Sequence, residues 1–407
     1  MISPNLDSAV ETVRAVEPPL PAVPVLVAIP GPSDAAAADW ATAIASERDA
    51  EEALVARAED AIAQNEFGLA VATLAKAHVS PLSFPDLALR SLLAESWAQM
   101  SLGAVDDAAR LLERAETLVG QPSFTESARA DVLYRLGCCR FSASAYGEAI
   151  SLFTLALAHC DPSDAACDGL RARIYESRAV CHQSHSDWDS ARSDVDHALT
   201  LAEKVGDEET VAYGYSQASV IAEREGQWLL ARFYAEAARA TYEQLGDRVN
   251  LQKVLDNLGR INEVLGETAH AVACLEESYQ LALDLGENLA AARARSSLAE
   301  VHLKSGNPEQ AEDLARRALE RLACEPDRHE ENGKAQLLLG RALLDQDRDT
   351  EAEHLFNCAA ARFERLGTAQ LRASAWLAQG DLWAARGDTD AAALLYRQAA
   401  QALQDSS

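Results

Sequence analysis

The stretch Arg171–Asp207, RARIYESRAVCHQSHSDWDSARSDVDHALTLAEKVGD, reads as two helices joined by a short turn. Ile174, Tyr175, Ala179 and Val180 fall at helical spacing in the first half, and Ala191, Val195, Ala198, Leu199 and Ala202 in the second. The polar SHSDW lies between them. Small residues are needed where two helix axes approach closely, because a larger side chain would force the axes apart. Ala179 and Ala191 are therefore expected to meet inside the hairpin, and Ala198 to face the next one.

Outward from this stretch the same spacing recurs. A small residue is followed by Ala twelve residues later, and by Ala or Ser seven residues after that, in nine places. The triplets are Ala58/Ala70/Ala77, Ser96/Ala108/Ala115, Gly137/Ala149/Ala156, Ala179/Ala191/Ala198 and Ser219/Ala231/Ala238. They continue as Gly259/Ala271/Ser278, Ala299/Ala311/Ala318, Gly340/Ala352/Ala359 and Gly380/Ala392/Ala399. Successive middle Ala residues are 38, 41, 42, 40, 40, 40, 41 and 40 apart. A fixed period of this size belongs to stacked repeats, each packed only on its neighbours. The expected fold is all-α, a right-handed α-solenoid of about nine helix hairpins.

Three residues before each middle Ala stands Phe67, Val105, Tyr146, Trp188, Trp228, Thr268, Pro308, Asp349 or Thr389. Most of these can plug the gap at the hairpin tip; Asp349 cannot do so by burial. Gly residues in EKVGD, EQLGD, LDLGE and ERLGT predict left-handed caps at the ends of second helices. Pro81, Pro85, Pro122, Pro162 and Pro326 fall between units and Pro308 in a turn, so no Pro interrupts a predicted helix.

The triplets, with turns such as EGQW, LGET, SGNP and RGDT, resemble the tetratricopeptide repeat family over roughly residues 50 to 405. The unit departs from that family's usual length of about 34 residues; here it is near 40. The extra residues follow the third small residue, as in ATYEQLGDRVNLQ. This long form is similar to the repeats of peptide-sensing bacterial regulators. LALRSLLAESWAQM, YRLGCCRF and EGQWLLARFYAE resemble the repeat half of actinobacterial helix-turn-helix regulators. The resemblance implies a non-catalytic protein- or peptide-binding module, a cytoplasmic regulatory scaffold or sensor. The alternative it implies is the sensor half of a transcription regulator lacking its DNA-binding domain.

Composition narrows the classes. The 407 residues carry 64 acidic against 36 basic side chains, a net charge of −28, which repels nucleic acid and anionic membranes. Hydrophobic residues make up 48%, rich in Ala and Leu, as helices require. No apolar run reaches the roughly 18 residues a membrane span needs. Seven of the 13 Pro residues lie in the first 32 positions, so residues 1–35 read as a flexible tail, with a short helix over Leu6 to Val16. DAAAADWATAIASERDAEEAL, from Asp34, reads as a capping helix on a solenoid domain over 36–407. The eight Cys form no CxxC pair and read as reduced, buried thiols. Cys138 and Cys139 are adjacent and cannot both enter one core.

No phosphate-binding Gly loop, HExxH or GxSxG is present. Cys181, His182, His185 and Asp187 in CHQSHSDWD sit at a helix end and turn and read as a solvated turn. No cofactor, metal or catalytic residue is expected; the partner is a protein or peptide, and a homodimer is compatible with the sequence. Candidate ligand contacts come from the repeat geometry. First helices line the concave wall of such a stack, and residues flanking the first small residue point into it. These are Tyr134, Arg135, Arg173, Glu176, Tyr213, Gln217, Asn257, Arg260, Arg293, Glu300, Lys334 and Arg341. Arg suits carboxylates and Asn suits peptide backbone. In the sensor-type relatives Asn and Arg of this wall hold an extended peptide, and Asn257 in LDNLGRINEVLG is the matching residue. Arg173, Asn257, Arg260 and Arg293 are expected to form one positive strip.

Overall fold

A computed structural model of the chain describes residues 34–323 and 327–404. The tail expected over 1–35 and its helix over Leu6 to Val16 lie outside them, except that Asp34 and Ala35 begin the first helix. The described residues form 18 α-helices and one short 3-10 turn, with no strand. They pair as nine hairpins: α1 (Asp34–Ala63) with α2 (Phe67–Leu74), α3 (Pro85–Ser101) with α4 (Val105–Val119), and α5 (Glu126–Ser142) with α6 (Tyr146–Ala158). α7 (Asp168–Ser184) pairs with α8 (Trp188–Val205), α9 (Glu208–Arg224) with α10 (Trp228–Leu245), and α11 (Arg248–Val264) with α12 (Thr268–Asp284). The last three are α13 (Asn288–Lys304) with α14 (Pro308–Leu322), α15 (His329–Leu344) with α16 (Asp349–Leu366), and α17 (Ala369–Ala385) with α18 (Thr389–Gln404).

Each second helix starts at the residue three before the middle Ala, Phe67 through Thr389. Asp349 holds that place without burial by pairing with Arg386 of the next hairpin, Oδ2 to Nε at 3.5 Å. A sharper marker sits two residues earlier. Asn65, Gly103, Ser144, Ser186, Gly226, Gly266, Gly306, Asp347 and Gly387 all have positive φ, one at each tip. Every one lies five residues before its middle Ala. At this position the chain must turn left-handed; five units use Gly, and four use Asn, Ser or Asp, whose short polar side chains tolerate that region. Gly206, Gly246, Gly286 and Gly367 are left-handed between hairpins, as the sequence predicts. Helix starts are capped by side chains: Asp187 accepts from Ser190 N–H, Asp207 from Thr210 N–H and Asp247 from Asn250 N–H.

The small triplets are buried, with one exception. Ala77 is half-buried because α2 ends at Leu74, ahead of Pro81 and Pro85. The expected capping helix is also not separate: α1 runs unbroken for 30 residues, through the capping segment into the first hairpin. Its Ala- and Glu-rich sequence contains no Gly or Pro to end it.

Where the first small residue is Gly, a large side chain crosses the hairpin to fill its place. It belongs to the residue four beyond the middle Ala: Phe153, Leu275, Phe356 or Tyr396 lies where a Cβ on Gly137, Gly259, Gly340 or Gly380 would stand. Where it is Ala or Ser, that residue is Leu74, Leu112, Val195, Ala235 or Ala315. Each of these Gly residues thus leaves room for a ring or a Leu, whereas opposite Ala or Ser the partner ranges from Leu down to Ala.

Successive first helices touch one another, as α1 with α3, α7 with α9, α11 with α13 and α13 with α15. This places the odd-numbered helices as an inner layer. Among the described residues no helix is long and apolar enough to cross a membrane.

Candidate functional site

Four cavities follow one another along the inner layer. The first, about 600 Å3, is lined by Glu59 and Ile62 of α1, Arg90, Leu93, Trp97 and Met100 of α3, Tyr134, Arg135 and Cys138 of α5, and Arg173 of α7. A neck of about 70 Å3 continues it between Cys138, Glu176, Ser177 and Tyr213. A third, about 320 Å3, lies between Tyr213 and Gln217 of α9 and Asn257 and Arg260 of α11, with Tyr242 behind. The fourth, about 530 Å3, takes in Asp256, Arg260, Arg293, Glu300, Lys334 and Arg341. Neighbouring cavities share residues: Cys138, then Tyr213, then Asp256 and Arg260. The geometry therefore places all twelve sequence-derived residues along one series of adjacent spaces.

The charges are arranged differently from the expected positive strip. Arg260 donates to Glu223 of the preceding first helix at 2.9 Å, and to Asn257 Oδ1 at 2.6 Å. Arg293 pairs with Glu331 of the following one. Lys334 pairs with Glu330 at 2.6 Å, and Arg135 with Asp131 at 3.0 Å. Lys304 bridges Glu263 at 2.6 Å and Glu300 at 3.1 Å. Acidic side chains from adjacent turns and hairpins thus neutralise most of the cations. In an acidic chain, an Arg on a first helix meets a carboxylate one hairpin away, which the sequence spacing alone does not reveal. Arg173 escapes this pairing; its guanidinium lies 5.9 Å from the centre of the Tyr134 ring. Asn257 donates to Ser219 Oγ at 3.2 Å while Arg260 holds its carbonyl, which fixes the amide.

Two carboxyls stand out. Asp256 lies where the third and fourth cavities meet; burial raises its pKa against the pull of Arg260 and Arg293, and its buried Oδ1 has no hydrogen-bond partner. Glu176, in the neck, is pushed up to about 8 by burial first and then by Asp207, against Arg173. Its folded pKa lies above its ordinary value, so the folded state holds more protons than the unfolded one between about pH 4.5 and 8. Stability is then expected to fall as pH rises through that window, by an amount on the order of a few kcal/mol. Glu176→Gln should flatten this slope. Urea midpoints at pH 5.5 and 8.5 check it; equal slopes in variant and wild type would refute it.

The adjacent thiols of Cys138 and Cys139 are held as neutral groups by burial. Cys139 is buried with its sulfur 3.4 Å from Met100 Sδ. Half-buried Cys138 lines the wall, and burial pushes its thiol up to about 12. The CHQSHSDWD residues do not converge: His182 faces Asp187 at 3.4 Å and Asp194 at 3.8 Å, while His185 turns back on the Cys181 carbonyl at 3.3 Å.

The sequence reading missed the apolar lining of the first cavity. Leu93, Trp97 and Met100 recur at helical spacing in LALRSLLAESWAQM, but a stripe facing the wall has the same period as one facing the core.

Hairpins of this geometry, with small residues at three fixed points, are the architecture of the tetratricopeptide repeat. Tetratricopeptide repeat profiles match residues 250–323, and also 93–165, 297–364 and 337–407. Together they span more than half of the 407 residues, and the chain is a tetratricopeptide-repeat protein. No curated protein matches it in sequence. Among solved structures, the apo form of RapI is similar with a TM-score of 0.67 at 14% identity, over 87% of this chain and 97% of that one. The apo form of the quorum sensor NprR from B. thuringiensis gives 0.63 at 14% identity, over 88% and 99%. A Rap protein complexed with competence and sporulation factor gives 0.55 at 16% identity, over 89% and 98%. At these identities the likeness is one of fold.

Proposed function

We propose that this chain is a peptide- or protein-binding module whose ligand lies along the inner layer of first helices. The observation that supports this most is the row of adjacent cavities, with Asn257 held on the wall by Ser219 and Arg260. An amide fixed on both sides suits the alternating donors and acceptors of an extended backbone. The Rap structure of similar fold is a complex with competence and sporulation factor, which agrees with this reading.

The test is capture of partners from cell extract by the wild type and by the double variant Asn257→Ala/Arg260→Ala. The variant is expected to lose the captured partner. Its unfolding temperature should barely move, since the exposed Arg260–Glu223 pair contributes about 0–1 kcal/mol. Full retention of the partner would defeat the proposal. The finer reading, a cytoplasmic regulatory sensor, follows the resemblance of LALRSLLAESWAQM and EGQWLLARFYAE to helix-turn-helix regulators. Its alternative, a sensor half acting beside a separate DNA-binding domain, requires a DNA-binding protein in the captured set.

A further inference from the structure

We propose that the cavity of the first four hairpins is a binding station of its own, taking an apolar segment that carries one carboxylate. This rests on the inner layer being a ligand wall, and it adds the chemistry of the ligand at one end.

Three observations carry it. First, the lining is apolar: Ile62, Leu93, Trp97, Met100 and Leu112 face about 600 Å3 of space. That volume lies within the range of small-ligand sites. Second, Trp97 is 53% exposed there. A large indole left open inside a concavity is the kind of side chain that anchors a bound partner. Third, one cation of the lining stands outside any direct ion pair. Arg90 is held by Glu59 at 2.8 Å and Glu52 at 3.4 Å, and Arg135 by Asp131 at 3.0 Å. Arg173 has no carboxylate within ion-pairing distance; its guanidinium lies 5.9 Å from the centre of the Tyr134 ring and acts on Glu176 at longer range. An apolar surface with one guanidinium outside any ion pair selects apolar side chains next to a single carboxylate. The opposite end of the wall differs in its lining, with the ion-paired Arg260, Arg293 and Lys334 beside the unpartnered carboxyl of Asp256. The two ends therefore make different demands on a ligand.

The carboxylate can be a chain terminus or an Asp or Glu side chain, and three synthetic peptides separate these sources. Each is N-acetylated and built from Leu, Phe and Gly: one ends in a free carboxylate, one in an amide, and one in an amide with Asp as last residue. Each is labelled and titrated by fluorescence anisotropy against the full chain. Both carboxylate-bearing peptides are expected to bind about tenfold more tightly than the plain amide, and the tighter of the two identifies the source. Arg173→Gln should erase that difference, and Trp97→Ala should weaken all three about tenfold. Circular dichroism confirms that both variants keep their helix content. Equal binding of acid and amide, no binding to the wild type, or no effect of Trp97→Ala overturns the station. If these results coincide with loss of the natural partner in the Asn257/Arg260 variant, the wall reading stands and this inference alone fails.

Discussion

Asp194→Ala is expected to destabilise the fourth hairpin by about 3–5 kcal/mol. Its carboxylate accepts from Arg178 Nε at 2.8 Å and Nη2 at 2.7 Å, with the two side chains 5% and 17% exposed. Arg178 also donates to Thr154 of the preceding hairpin at 3.0 Å, so one guanidinium joins three helices, α6, α7 and α8. Without Asp194 the cation stays largely out of water, with only Thr154 and the Tyr175 ring, 5.5 Å away, to offset its desolvation. The loss exceeds the net worth of the pair, because an unmatched buried charge is left behind. Replacing both partners, Arg178→Met with Asp194→Leu, should therefore recover most of it. Urea unfolding reads the effect, and hydrogen exchange over α7 and α8 shows whether it stays local, as expected of quasi-independent repeats. A single variant within 1 kcal/mol of wild type would contradict the argument.

Phe356→Ala should cost a similar amount, about 3–5 kcal/mol, through the transfer and cavity terms of a fully buried ring. The informative comparison is with Gly340→Ala. A Cβ on Gly340 would collide with the Phe356 ring. Overpacking is expected to cost about 1–3 kcal/mol, outweighing the roughly 1 kcal/mol that Ala gains over Gly in a helix. Combined, the two substitutions should cost less than their sum, because the new methyl occupies space the ring has left. Strict additivity in the denaturant midpoints would mean that the two positions are not matched.

The repeat and its hairpin boundaries were legible because they rest on residue size at fixed spacing: each second helix starts at the residue the spacing marks, from Phe67 to Thr389. The left-handed tip was equally open to reading, yet hidden by chemistry, since Asn65, Ser144, Ser186 and Asp347 perform the role Gly performs elsewhere. All twelve wall residues line the cavities because inner-face membership follows from helical period alone. Their electrostatics did not follow. Whether Arg260 is free or held by Glu223 depends on how two successive hairpins superimpose, 37 residues apart in sequence. The pairing of Gly137 with Phe153 was in the sequence throughout, but shows itself as compensation only once the two are known to touch.

The constancy of the tips gives every hairpin the same joint. Gly226 and Gly266 stand 40 residues apart with φ of 72° and 77° and the same hydrogen-bonded turn around them. Splicing the chain from one directly to the other would rejoin two ends of matching shape. The product would be a shorter spiral, missing Asp256, Asn257 and Arg260 in a single excision, in phase on either side but with Ser219 brought against Leu275 where Gly259 had stood. The 38-to-42-residue variation in unit length is confined to stretches between tips, so such exchanges leave the register of the array undisturbed.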